Sequence, residues 1–353
     1  MKIKVGKEKG QSKKLNQDEK SGKRILWLDI LRIISILAVV MIHASTQNLE
    51  DVVAGSAQNI VFATFDGLSR FAVPVFVMIS GALMLKRDLS YKKCLKKILR
   101  LLIVWGFWCV FYAGFSLAAG KGKEAALHDL VFGHFHMWFL PMIAGLYLIT
   151  PILRWIVKNQ RWCVVAIIIL VVLSVGLQFR WTSYPMYYLM GYVLGDGNWA
   201  SGKKRVLATG MMVGLFLATA VVITGLNAKA SVEMGAVVHP LDADWSILAI
   251  VQSVAVFALI KLLFAGRAEK KTEQKICSRL AGDVLGVYLV HVAVLGALNR
   301  MGVSNVMFEN ANNGGLETLG AISGILVTMI LTTVVSVLII EVMRKIPMLR
   351  KTV

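Results

Sequence analysis

The sequence predicts an all-α integral membrane protein, a bundle of about ten transmembrane helices with both termini cytoplasmic. Three observations lead there. Of the 353 residues, 57% are apolar and only 17% charged, against about 25% charged in an ordinary soluble protein. Mean hydropathy is +0.68. The apolar residues fall in runs close to the ~20 residues that a helix needs to cross hydrocarbon, and short basic clusters separate the runs. Such a balance excludes a soluble globular enzyme, a disordered chain and a fibrous protein.

Ten segments read as spans: roughly 26–47, 60–85, 97–119, 137–157, 162–179, 184–198, 205–226, 245–265, 282–301 and 318–343. The sixth is the shortest, and its Gly191, Tyr192 and Gly195 suggest a closely packed helix. Residues 1–25 are lysine-rich and too long and charged for the n-region of a signal peptide, so they read as a basic cytoplasmic tail. The membrane domain then covers 26–346, and 347–353 is a short second tail. With the N-terminus inside, 32 of the 39 Lys and Arg fall in inner segments and five in outer loops. The remaining two, Arg32 and Arg70, lie away from the span ends. That asymmetry is the positive-inside pattern. It also explains the net charge of +19 without nucleic acid, since the cations are parcelled out between spans. The Asn310–Gly315 stretch reads as a flexible loop tip. Four cysteines without CxxC spacing indicate neither a disulfide framework nor a zinc site.

Ionisable residues within spans are costly and therefore informative. The first span carries Asp29, Arg32 and His43. Arg32 and His43 are eleven residues apart. At 100° per residue they share one helix face, about 16 Å apart along the axis. Asp29 can pair with Arg32 at i,i+3. The second span carries Asp66 and Arg70 at i,i+4, followed by Pro74, which breaks the hydrogen-bond ladder. The outer edge of the fourth span reads His134-Phe-His136-Met-Trp138. Its rings could stack on a sugar or form part of the aromatic belt at the lipid interface. On a helix His134 and His136 would point to different sides, so no metal site is expected there. The ninth span places Tyr288 and His291 at i,i+3. His128 and His239 fall in outer loops and indicate nothing by themselves.

These residues together resemble the membrane acyltransferase family 3. Leu28-Asp29-Ile-Leu-Arg32 followed by His43 is similar to that family's first-helix signature. Arg70-Phe-Ala-Val-Pro74 through Ser80-Gly81 is similar to its second-helix motif. The basic run Lys92–Arg100, Met137-Trp-Phe-Leu-Pro141, Tyr147-Leu-Ile-Thr-Pro151 and Gly286-Val-Tyr-Leu-Val-His291 fit in the same order. The ending Lys345–Lys351 resembles the tail of the Gram-positive branch, whose members act on surface polysaccharides. One departure stands out. Where relatives often carry two arginines three apart, this chain has Lys97 and Arg100. Lysine meets a phosphate as a point charge and lacks the bidentate fork.

The resemblance implies a multi-pass protein of the bacterial cell membrane. Its expected reaction moves an acyl group, usually acetyl, from acyl-CoA (acetyl-CoA) to a hydroxyl of an exported carbohydrate or lipid-linked glycan, in contact with membrane lipids. No metal cofactor is expected. His43 is then the expected base or acyl carrier, an imidazole being suited to proton transfer near neutral pH. Arg32 is expected to share in catalysis and to hold CoA, together with Lys97 and Arg100. Asp29 and Arg70 are expected to position those groups or to meet the acceptor, and His136, Trp138, Tyr288 and His291 are the expected acceptor-side residues. The rival reading is a transporter or flippase for a serine-like solute or lipid-linked sugar. Pro74, Pro141 and Pro151 interrupt spans, but no matched second set of broken helices accompanies them.

Overall fold

The computed structural model describes residues 24–47, 49, 52–87, 90–196, 200–239, 243–267, 270–303 and 317–353. Most of the expected basic tail and the Asn310–Gly315 stretch lie outside the described residues. Twelve α-helices make up the described chain: α1 Leu26–Ser45, α2 Ala57–Ser69, α3 Ala72–Met84, α4 Tyr91–Ala118, α5 Lys123–Phe132 and α6 Phe139–Val157, then α7 Gln160–Val171, α8 Arg180–Gly195, α9 Gly202–Met234, α10 Ile247–Phe264, α11 Lys271–Arg300 and α12 Glu317–Lys345. Counting α2 and α3 as one continuous 28-residue segment, eight helices are long and apolar enough to cross a membrane. The fifth and sixth expected spans are shorter. One is α7 with a π-helical turn at Val172–Gly176, and the other is the 16-residue α8.

Several ends differ from the sequence expectation, and for a common reason. Hydropathy marks where a helix leaves hydrocarbon, not where its hydrogen bonds stop. The basic run before the third span is the first turns of α4, and α11 begins eleven residues before its expected span. The second expected span is broken. Pro74 has no N–H to offer the Arg70 carbonyl, and the helix interrupts at Arg70–Phe71 before resuming as α3.

Helix α1 occupies the centre, packed by α2, α3, α10, α11 and α12. Its Leu26, Trp27, Leu28, Leu31, Val39 and Val40 are all buried. Around it, α9 pairs with α10 and α2, while α4 pairs with α5 and α6. The tightest approach is between α3 and α8. A Cβ on Gly81 would overlap the backbone of Tyr188, and one on Gly191 would overlap the backbone of Met78. Small residues let helix backbones meet where no water drives them together. The close-packing expected for α8 is met at Gly191 and again at Gly195, whose Cβ would meet Ala82 at 2.9 Å.

Side chains satisfy the helix ends. Ser56 accepts from the Asn59 amide at 3.1 Å and Ser246 from the Ala249 amide at 3.1 Å. Lys261 is buried, and its Nζ donates to the carbonyls of Leu194 and Asp196, both at 2.7 Å. Lys86 donates to the Gly195 carbonyl at 3.0 Å. These cations meet the carbonyls that the last turn of α8 leaves open, and they fix where α8 stops. The four cysteines are free thiols.

Replacing Gly191 with Val should force α3 and α8 apart. Overpacking costs about 1–3 kcal/mol in a core that can adjust, and more against backbone. A lower unfolding temperature in detergent is the expected result. Gly214→Val, where a Cβ meets nothing within 4 Å, should leave that temperature close to wild type.

Candidate active site

The ionisable face of α1 begins with Asp29, which is fully buried. Its carboxylate pairs with Arg32 one turn on, accepts from Ser278 Oγ at 3.1 Å, and lies 3.8 Å from Arg24 Nη1. Arg24 also donates to the Ser278 carbonyl. One buried carboxylate thus orients two guanidiniums and joins α1 to α11. Of the two roles expected for Asp29, its contacts are those of a residue that positions Arg32.

Arg32 opens onto a cavity of about 420 Å³, within the ~300–1,000 Å³ usual for ligand pockets. The cavity lies among α1, α3, α4, α6 and α11. Its polar part is formed by Arg32, Arg87, Lys97, Ser80 and Tyr147, and its apolar part by residues such as Val39, Val73, Phe76, Phe139, Ile143 and Tyr288. Lys97 faces this space, whereas Arg100, the other expected cofactor residue, is exposed and does not line it. The helical period explains the difference, since residues three apart are not superposed when one of them sits at the edge of the buried stripe. Arg87 stands in the cavity instead. It lies in the turn after α3, and its only sequence signal was membership in a basic cluster.

Beyond the apolar part lies a layer of histidines. The His43 ring is 5.1 Å from His291 between centroids, and His291 is 5.3 Å from His136. Three residues from three parts of the chain therefore meet. The Nδ1 of His291 lies 2.7 Å from the Tyr288 carbonyl and 3.2 Å from that of Val287. A carbonyl only accepts, so Nδ1 carries the proton and Nε2 keeps its lone pair. That Nε2 is buried without a hydrogen-bond partner among the described residues. Tyr288 joins the two regions: it lines the cavity, and its hydroxyl donates to the His136 carbonyl.

His134 and His136 do not diverge as a helix would make them. Gly133, at φ +81°, ends α5, and residues 134–138 form turns before α6. Both rings consequently pack on Tyr112, at 4.6 and 5.1 Å. Burial pushes the His134 imidazole below its ordinary pKa, and Asp129, 3.8 Å away, opposes that shift.

Two further expected residues, Arg70 and Trp138, are held by partners of their own, and the Arg70 charge acts on His43. Arg70 and Asp66 form the expected pair, with Nε donating at 2.8 Å. His239 joins them, its Nδ1 3.3 Å from Asp66. The sequence placed His239 in an outer loop with no assignment, because nothing local shows that the segment after α9 folds back onto α2. Trp138 lies under the Arg180 guanidinium, 4.5 Å from its centroid. Arg180 also donates to the Tyr184 hydroxyl at 2.8 Å, and Tyr184 donates to Asp244 at 3.2 Å.

A protein-family model described as an acyltransferase domain, Acyl_transf_3, matches residues 25–341. The chain belongs to this acyltransferase family. The match runs from the start of α1 to within α12, so it takes in every side chain described above except Arg24. No curated protein and no solved structure matches the chain. With its eight long apolar helices, this acyltransferase is a multi-pass membrane protein. Among the described residues, no group of three or more His, Cys, Asp or Glu is arranged to hold a metal ion.

In this acyltransferase the Asp66–Arg70 pair is almost fully buried, and removing one partner of a buried pair costs about 3–5 kcal/mol. Asp66→Ala should therefore lower the unfolding temperature markedly. Glu233→Ala, which breaks the exposed pair with Lys229, should shift it little.

Proposed function

We propose that this acyltransferase moves an acyl group, acetyl first among candidates, from acyl-CoA on the cytoplasmic side of a bacterial plasma membrane to a hydroxyl of a carbohydrate or lipid-linked glycan on the other side. The observation that carries the proposal is the order of groups along one path. Cations gather at one end of a 420 Å³ cavity, an apolar stretch follows, and the paired rings of His43 and His291 stand beyond it.

Acyl-CoA presents phosphates, a polar pantetheine arm and a thioester, in that order. Arg32, Arg87 and Lys97 offer charge-assisted donors for the phosphates or for the amides of the arm. The uncharged stretch from Val39 to Tyr288 suits the thioester end. The acceptor hydroxyl attacks the thioester carbonyl while His43 takes its proton. The C–S bond breaks, and that proton neutralises the departing thiolate. Proton transfer of this kind typically contributes about 10²–10⁴-fold. His291, with Nε2 free of the backbone, holds a second basic nitrogen beside the first. Trp138, flanked by Arg180 and Tyr184, offers a ring face with adjacent hydrogen-bonding groups for a sugar. Membership in the family favours group transfer over transport.

Labelled acetyl-CoA supplied to the cytoplasmic face of membranes, with native glycans present, tests the reading. Wild-type protein should place label on glycan, and His43→Ala should place none while retaining its unfolding transition. Label that persists in His43→Ala would remove His43 from the mechanism. In the same assay Arg87→Ala and Lys97→Ala should each raise the KM for acetyl-CoA by about tenfold, the loss of one charged contact of ~1.4 kcal/mol. Arg100→Ala should leave it within about twofold.

A further inference from the structure

The cavity and the histidine layer are adjacent but separate. Phe76 of α3, Phe139 of α6 and Tyr288 of α11 all line the cavity, whereas His43, His136 and His291 do not. The three aromatic rings form a row, with Phe76 to Phe139 at 6.1 Å and Phe139 to Tyr288 at 5.6 Å. On its far side the Tyr288 ring lies 5.6 Å from His136 and 6.0 Å from His291. Tyr288 thus touches both the cavity and the histidines, and Phe139 and Phe76 continue the row along the cavity wall.

Each member is held from a different direction. Tyr288 is buried and its hydroxyl is tied to the His136 carbonyl. Phe139 opens α6 directly after the turn that carries His136 and Trp138. Phe76 rides on α3, which is locked to α8 through Gly81 and Gly191. Aliphatic side chains of Val39, Val73 and Ile143 complete the same end of the cavity. These rings and aliphatic side chains bound the room for an acyl chain at that end of the cavity.

We infer that Phe76, Phe139 and Tyr288 form the filter that sets acyl-chain length, admitting a short acyl group to the histidine layer and rejecting longer ones. The inference rests on the acyl-CoA reading above and specifies which side chains make its donor selective. Apolar pockets discriminate by size because each methylene without room must displace packed atoms. Conversely, removing a large buried ring leaves a dry apolar cavity able to take in carbon atoms from a ligand.

The test is displacement of tritiated acetyl-CoA from the purified full chain in lipid nanodiscs, with free CoA, acetyl-CoA, butyryl-CoA and octanoyl-CoA as competitors. In wild type, octanoyl-CoA should bind at least about tenfold more weakly than acetyl-CoA. Phe139→Ala should narrow that ratio by about tenfold, and Phe76→Leu by a smaller factor in the same direction. Arg87→Ala should weaken all the donors together and keep the wild-type ratio, which separates a phosphate contact from a chain-length filter. The inference is overturned if wild type binds octanoyl-CoA as well as acetyl-CoA. It is equally overturned if Phe139→Ala and Phe76→Leu, each with an intact unfolding transition, keep the wild-type ratio. Failure of every CoA compound to bind would overturn the donor reading and the filter with it.

Discussion

The structure depends on how α1 carries charge through an apolar bundle. Asp29 is buried at the centre of five packed helices. An ionised carboxylate in such a place is tolerated only when partners replace the water it has lost. Arg24, Arg32 and Ser278 are those partners. Because they come from both sides of the helix and from α11, the arrangement fixes the rotation of α1. Once that rotation is set, Arg32 faces the cavity and His43 meets His291 three turns later. A helix turned by a third of a revolution would lose both contacts.

Much of this was legible in the sequence because the signals were local or periodic. The eleven-residue spacing from Arg32 to His43 placed the two residues along one line of side chains, and the bundle puts the cavity and the histidine layer along it. The i,i+4 spacing of Asp66 and Arg70 specified their pair. Pro74 announced a break in the second span, and Gly191 and Gly195 announced a close helix crossing. Each of these depends on the geometry of a single helix, which the chain states directly.

What was not legible depended on chain reversals. His239 reaches Asp66 only because the segment after α9 returns over α2, and no feature around His239 records this. Arg87 enters the cavity from a turn, where no helical period says which way a side chain points. The opposite error arose at His134 and His136, which a helical reading separates. Gly133 ends the helix there, and the turn that follows brings both rings onto Tyr112. Arg100 and Lys97 illustrate a finer limit. Three residues along α4 were enough to move one cation from the cavity to the exposed face.

The hydroxyl of Tyr288 has a consequence beyond its own contact. It binds the wall of the cavity to the backbone that carries His136, whose ring packs on that of His291. The cavity and the histidine layer are therefore mechanically joined. Any movement that widens the passage tugs on the imidazoles, and any rearrangement of the imidazoles alters the passage. Under the proposed function, selectivity and rate would share one mechanical linkage, so a change in what the protein accepts would carry with it a change in how fast it works.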